Sequence, residues 1–326
     1  MVKMNRVQMD DSTIIYLKES NLSPAEKEAI IQEALDNCTL RNLAGDPIVY
    51  VPTSVLALDL SYQRDPREDT AKVAKLVRNW DNSKFMPLSV AYRNGKLYVD
   101  DGGHRNLGAV QRGIEEVPVV VQKRTQQQSA AYFQEQNVED SPLQPWDKYR
   151  AGLVAKDSTS LTIQRICNHF GLKVTRQRTN VSRPMKAIKA AMDIVKSKSF
   201  DGSKALYWMF DIMDKARWTD LYPIKAMSAR FMNSLAPVYQ EAMQKGKGAA
   251  YAERLEAVFH QYDPDTISAF ALLRHPNCKK SDARMPVKVA LLDIARGSIT
   301  ADDIAAVAEK MAAAKKKPSK KAKKVA

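Results

Sequence analysis

Residues 96–113, Lys-Leu-Tyr-Val-Asp-Asp-Gly-Gly-His-Arg-Asn-Leu-Gly-Ala-Val-Gln-Arg-Gly, constrain the fold more than any other stretch of the chain. Leu97 to Val99 predict a short strand that Asp100 and Asp101 close. Gly102-Gly103 predict a flexible turn, and Asn106 to Gln111 a helix stopped by Gly113. A strand, a glycine turn and a helix start bring free backbone N–H groups and a positive dipole end to one point, which suits an anion. His104 and Arg105 stand beside it as donors that suit phosphate. A purely structural turn, with Arg105 paired to a nearby acid, is the equally weighted alternative.

The flanking segments predict a sheet for this strand to join. Thr13–Leu17 alternates weakly, as an edge strand would. Ser23-Pro-Ala-Glu26 carries an N-cap, a first-turn proline and a capping glutamate, for a helix to about Asp36 with Ile30, Ile31, Ala34 and Leu35 on one face. Asp69–Trp80 places Val73, Leu76, Val77 and Trp80 at helical spacing, which reads as core packing. Strands are expected at Phe85–Ala91 and Glu116–Val121, a tight turn at Arg93-Asn-Gly-Lys96, and a polar helix at Gln126–Gln136. The economical solution is a small mixed sheet flanked by helices, an α+β domain over residues 48–140 after a lead-in at 1–47.

Asp101-Gly-Gly-His-Arg105, after a strand and before a small-residue helix, resembles the Asp-Gly-x-His-Arg signature of the ParB/sulfiredoxin superfamily. Upstream, Leu58-Asp-Leu-Ser-Tyr-Gln-Arg-Asp65 looks like the family's first motif, where a Gln-Arg pair follows a loop. From Tyr62 onward the arrangement looks most like the ParB-like proteins carried by phages and plasmids. The resemblance implies a nucleotide or phosphate site: Gly102, Gly103, His104 and Arg105 hold phosphate, Gln63 and Arg64 close over it, and Asn137 completes it. It also implies CTP or ATP with Mg²⁺ as the ligand. Gln136 and Asp140 stand where the family carries a glutamate and an arginine, so one metal ligand and one phosphate cation are replaced. Asp100 and Asp101 are the carboxylates available to hold the metal instead. Sulfiredoxin chemistry is excluded, because no cysteine lies in the turn to act as nucleophile.

Charge directs the reading of the rest. The net charge is +14, and residues 151–250 hold seventeen Lys/Arg against seven Asp/Glu, while the last twelve residues add seven lysines. Such clustering points to a polyanion. After a helix at Trp146–Ala155, Thr159–Leu172 resembles the first half of a helix-turn-helix, which ParB proteins also place here. Lys173–Arg183 carries four cations and no clear apolar face, so a basic hairpin or wing is expected rather than a recognition helix. A helix at Met185–Val195 follows. Arg165, Lys173, Arg176, Arg178, Arg183, Lys186 and Lys189 are the candidate DNA contacts of this 141–200 segment. Residues 201–314 read as helices at 203–215, 222–235, 237–245, 249–261, 263–273, 285–296 and 301–315, with Trp208, Met209, Ile212, Met213 and Phe231 as core. The 315–326 tail reads as disordered and as a source of salt-sensitive DNA affinity.

The three cysteines and four histidines are scattered, which argues against a disulfide framework or a zinc centre and for a reducing compartment. No apolar run is long enough to span a membrane, and Met-Val-Lys-Met-Asn-Arg has no apolar core of a secretion signal. The expected setting is the cytoplasm of a bacterium or phage-infected host, at the nucleoid. The resemblance implies three functions. The first is a ParB-like DNA-binding protein with a nucleotide site. The second is a metal-dependent nuclease using Asp100, Asp101 and His104. The third is a small-molecule kinase, ranked last because it leaves the basic tail unexplained. Monomer and homodimer are both open.

Overall fold

The computed structural model describes residues 13–39, 48–136, 143–176, 181–277 and 284–315. Asn137, Asp140, Arg178 and the lysine tail lie outside the described residues. The fold is α+β: a six-stranded mixed sheet in the first half, then a helical region. The chain divides into two compact units, Met1–Ser158 and Thr159–Ala326.

In the first unit the strands are β1 (Ile14–Tyr16), β2 (Ile48–Pro52), β3 (Leu56–Asp59), β4 (Leu88–Arg93), β5 (Lys96–Asp101) and β6 (Glu116–Lys123), in spatial order β1-β3-β5-β4-β6-β2. The β3/β5 and β4/β6 pairs are parallel and the other three antiparallel. β1 is an edge strand, as its weak alternation suggested. The helices of this unit are α1 (Pro24–Thr39), α2 (Thr70–Arg78), α3 (Gly103–Gln111), α4 (Gln126–Gln136) and α5 (Pro145–Val154). The capping box at α1 forms in both directions. Glu26 N–H donates to Ser23 Oγ at 3.3 Å, and Ser23 N–H to Glu26 Oε2 at 2.7 Å.

Period-two alternation divides the central strands between two kinds of surface. Leu56, Leu58, Leu88, Val90, Leu97 and Val99 enter one apolar cluster with Ile31 and Ala34 of α1 and Ala109 of α3. The intervening residues Asp59, Arg93, Tyr98 and Asp100 meet one another instead: Arg93 donates to Asp59 at 2.9 Å and its guanidinium lies 3.8 Å from the Tyr98 ring. Helix α4 covers them through Ser129 and Gln126. This explains a feature that composition alone left open, since a helix as polar as α4 packs inward because the surface beneath it is polar too.

The second unit begins with α6 (Ser158–His169) and a two-stranded parallel pair, β7 (Lys173–Val174) with β8 (Pro184–Met185). Its other helices are α7 (Ile188–Val195), α8 (Gly202–Lys215), α9 (Trp218–Leu221), α10 (Pro223–Ala226), α11 (Ala229–Gln244), α12 (Gly248–Gln261), α13 (Pro264–Arg274), α14 (Arg284–Arg296) and α15 (Ala301–Lys315). Among the described residues between α6 and α7 stands the strand pair, not a recognition helix. The sequence predicts a helix break at Pro237, but α11 runs through it. A proline there removes a backbone hydrogen bond. Leu235, Val238, Tyr239 and Ala242 continue one buried stripe across it, and that burial outweighs the loss. Met209, Ile212, Met213 and Phe231 are core as expected, with Trp218 stacked on Phe259 at 3.9 Å. Among the described residues no helix is long and apolar enough to cross a membrane.

Candidate functional site

The site forms where β5 passes into α3. Between Ser89 and Val90 the β4/β5 register shifts, so that Val90 opposes Val99 and Ser89 opposes Asp101. Asp100 is therefore the extra residue of a bulge, a device that re-aims side chains at the end of a strand. Gly102 follows as the N-cap of α3 at φ 99°, the left-handed region. A Cβ there would stand 2.5 Å from Leu88 Cδ2, whereas one on Gly103 would meet Leu58 at an ordinary 3.4 Å. Only the first glycine is compelled by the geometry. The helix also starts earlier than the sequence suggested, so His104 and Arg105 lie in its first turn. With a glycine cap, no side chain covers the N–H groups of that turn.

These groups face a cleft of about 330 Å³ lined by Gln63, Arg64, Asp100, Asp101 and the Gly102–Arg105 turn. Six sequence-predicted phosphate ligands thus come together. Lys72 of α2 and Phe133 and Gln136 of α4 join them. Lys72 escaped the sequence reading because α2 was judged by its apolar stripe alone. It stands in the first turn of α2, where its backbone N–H donates to the Asp69 cap.

The individual roles are sharper than the sequence allowed. Gln63 is buried and donates to the Val99 carbonyl at 2.5 Å, so it clamps the end of β5 and does not reach outward. Arg64 pairs with Asp147 of α5 at 2.8 Å. Arg105 donates to Asp101 at 2.7 Å and to the backbone carbonyls of Met86 and Pro87, the structural alternative for this residue. His104 Nε2 lies 3.7 Å from Asp69, but burial, reinforced by Lys72, holds its pKa below the usual imidazole value. Lys72 is exposed and has no ion-pair partner among the described residues.

Asp100 is placed otherwise than as an open metal ligand. Its carboxylate is buried and accepts from Tyr62 at 3.0 Å, Ser129 at 2.8 Å and Arg124 at 3.2 Å. Burial nonetheless pushes its pKa up. Those donors occupy the lone pairs a cation would need, while Asp101 is committed to Arg105. A metal held jointly by Asp100 and Asp101 does not fit, and among the described residues no three metal-ligating side chains cluster. The surrounding network was invisible in the sequence. Asp59, Tyr62, Arg93, Arg124 and Ser129 converge from separate elements, and Arg124 also lies 3.9 Å from the Tyr132 ring.

The candidate DNA contacts lie in the second unit. Arg165, Lys173, Arg176 and Lys189 are exposed and Lys186 is half-buried. Lys189 pairs with Asp193 at 2.7 Å. Arg183 is committed inward, to Asp214, to Asp220 at 3.2 Å and to Thr219 at 2.6 Å, so it braces the β8 segment and is withdrawn from the list.

A search of curated proteins finds no match. Among solved structures the chain is similar to the C-terminally truncated chromosome-partitioning protein ParB from Caulobacter crescentus, in complex with CTP-gamma-S. Identity is 14%, over 64% of this chain and 98% of that one, with a TM-score of 0.26, too loose a superposition to carry an argument about this site. Residues 59–203, from the end of β3 through the cleft and the basic segment to the first turn of α8, match a family of unknown function, DUF6551.

Proposed function

We propose that the first unit binds a nucleoside triphosphate in the β5–α3 cleft, and that the basic segment of the second unit binds DNA, in the manner of a ParB-like protein. One observation carries the nucleotide reading: the N-terminus of α3 has no side-chain cap and opens into a 330 Å³ cleft beside Lys72, which has no ion-pair partner among the described residues. The phosphates would rest on the N–H groups of Gly103, His104 and Arg105, with Lys72 as the mobile cation. Arg105 and Gln63 would set the shape of the turn, and Phe133 and Gln136 would face the base. Asp101, whose Oδ2 accepts from Arg105, would meet Mg²⁺ brought by the nucleotide through its other oxygen. Together with the motif order around Asp101-Gly-Gly-His-Arg105, these features favour nucleotide binding over phosphodiester cleavage.

Calorimetric titration of the full chain with CTP and with ATP, with and without Mg²⁺, tests the reading. One of the two is expected to bind, and Lys72→Ala to weaken it about tenfold, the scale of a charge-assisted hydrogen bond. Absence of heat with both, or an unchanged affinity in Lys72→Ala, overturns it. Because His104 enters neutral, an arriving phosphate draws it toward protonation, so affinity should rise as pH falls from about 8 to about 6. His104→Gln should flatten that dependence. Supercoiled plasmid incubated with Mg²⁺ or Mn²⁺ should remain uncut; nicking that is lost in Asp101→Ala would restore the nuclease.

A further inference from the structure

A second cavity, of about 330 Å³, lies between α6 and α8, lined by Arg165, Ile166, His169, Ser203, Lys204 and Tyr207. Its walls are of two kinds. One is aromatic: the Tyr207 hydroxyl meets His169 Nε2 at 2.9 Å, and the two rings lie 5.1 Å apart. Phe170 backs Tyr207 at 5.0 Å, and Phe210 backs Phe170 at 6.1 Å. Phe170 and Phe210 are buried, so the pair is held from behind while Tyr207 stays 41% exposed. The other wall is cationic. Arg165 has no ion-pair partner among the described residues, and Lys204 reaches Asp201 at 3.3 Å with 78% of its side chain exposed. The segment that supplies α6, residues 159–200, holds nine Lys/Arg and a single carboxylate, Asp193.

Cations alone would suit any polyanion. Cations rimming a fixed aromatic recess suit a nucleotide whose base is out of its stack, because the base needs a π-face and its phosphate a charge. A duplex presents its bases edge-on and cannot fill such a recess. We infer that this pocket takes one unstacked nucleotide of a single-stranded nucleic acid. The base lies against Tyr207 and His169, and the phosphate is held by Arg165 and Lys204. The inference rests on the DNA reading of the basic segment and adds the form of the nucleic acid to it.

The test uses the full chain and three probes: a dT oligonucleotide with one central 2-aminopurine, the corresponding duplex, and free AMP. Wild type should bind the single strand and change the 2-aminopurine emission. Tyr207→Ala should bind it about tenfold more weakly without that change, and Tyr207→Phe, which keeps the ring, should match wild type. Tyr207 is exposed, and a melting curve checks that each variant is folded. If Tyr207→Ala and Arg165→Ala bind the single strand like wild type, the pocket assignment fails while the DNA reading stands. If wild type binds neither strand form, both fail together. Competition by free AMP at equal concentration of nucleotide units would make the pocket a mononucleotide site and overturn the strand assignment.

Discussion

The two units handle charge in opposite ways. In the first, Asp59, Arg93, Asp100 and Arg124 turn inward and are buried between the sheet and α4. In the second, Leu206, Met209, Phe210, Trp218, Phe231 and Phe259 are core, no charged residue is buried among the described residues, and most of the described cations face solvent. A buried ionic network costs desolvation that an apolar core does not. Its return is orientation. It fixes the end of β5, and through it the glycine turn that opens the cleft. The outward-facing cations of the second unit need no such support, because a polyanion can be met by many arrangements of charge.

Asp100→Ala should break this contrast most severely. It takes from Arg124 its carboxylate partner, while Arg93 keeps Asp59, and should cost about 3 kcal/mol in urea unfolding. Phe210→Ala sets the apolar benchmark, at a similar 3–5 kcal/mol. The two losses should separate with pH, since only the first removes a titrating group; equal pH profiles would dissolve the distinction. Next, Gly102→Ala should cost about 1–3 kcal/mol through its positive φ and the Leu88 contact, against less than about 1 kcal/mol for Gly103→Ala. Equal costs would mean that the turn does not hold its form.

A pH effect of smaller size follows. The folded pKa of His104 lies below its unfolded value near 6.5. The unfolded chain therefore binds the proton first, and stability present above that pH is lost as pH falls through the depressed folded value. Asp100, with its pKa raised, contributes in the opposite sense at lower pH. His104→Gln should flatten the fall below about pH 6.5. The smallest effect belongs to Lys189→Ala, whose exposed pair with Asp193 should be worth under about 0.5 kcal/mol.

How much of this was legible depends on whether the signal is local. The capping box at Ser23, the Asn94-Gly95 hairpin and the glycine at Gly102 each declare themselves within a few residues, and each is in place. So do the apolar stripes of the helical region. The inward-facing network did not, because Asp59 and Arg93 meet across 34 residues and Gln126 and Asp59 across 67. Alternation in β3, β4 and β5 marks two faces, but it does not say that the polar face is also covered. The pairing of Arg105 with a nearby acid was one of two readings left open, and Asp101 four residues before it is that acid, whereas the commitment of Arg183 to Asp214 was hidden, since the two lie 31 residues apart.

The bulge at Asp100 changes the parity of its strand. Up to Val99, odd and even positions keep to opposite surfaces; after the extra residue the count is offset by one. Consecutive strand residues face opposite ways in any case, so Asp100 is held beneath α4 while Asp101 stands at the mouth of the cleft; what the extra residue changes is the pairing, which sets Asp101 rather than Asp100 opposite Ser89. A deletion of one residue between Val99 and Asp101 would restore the regular count and bring the second carboxylate into the first one's place. Length, more than chemical identity, is what this stretch of chain cannot give up.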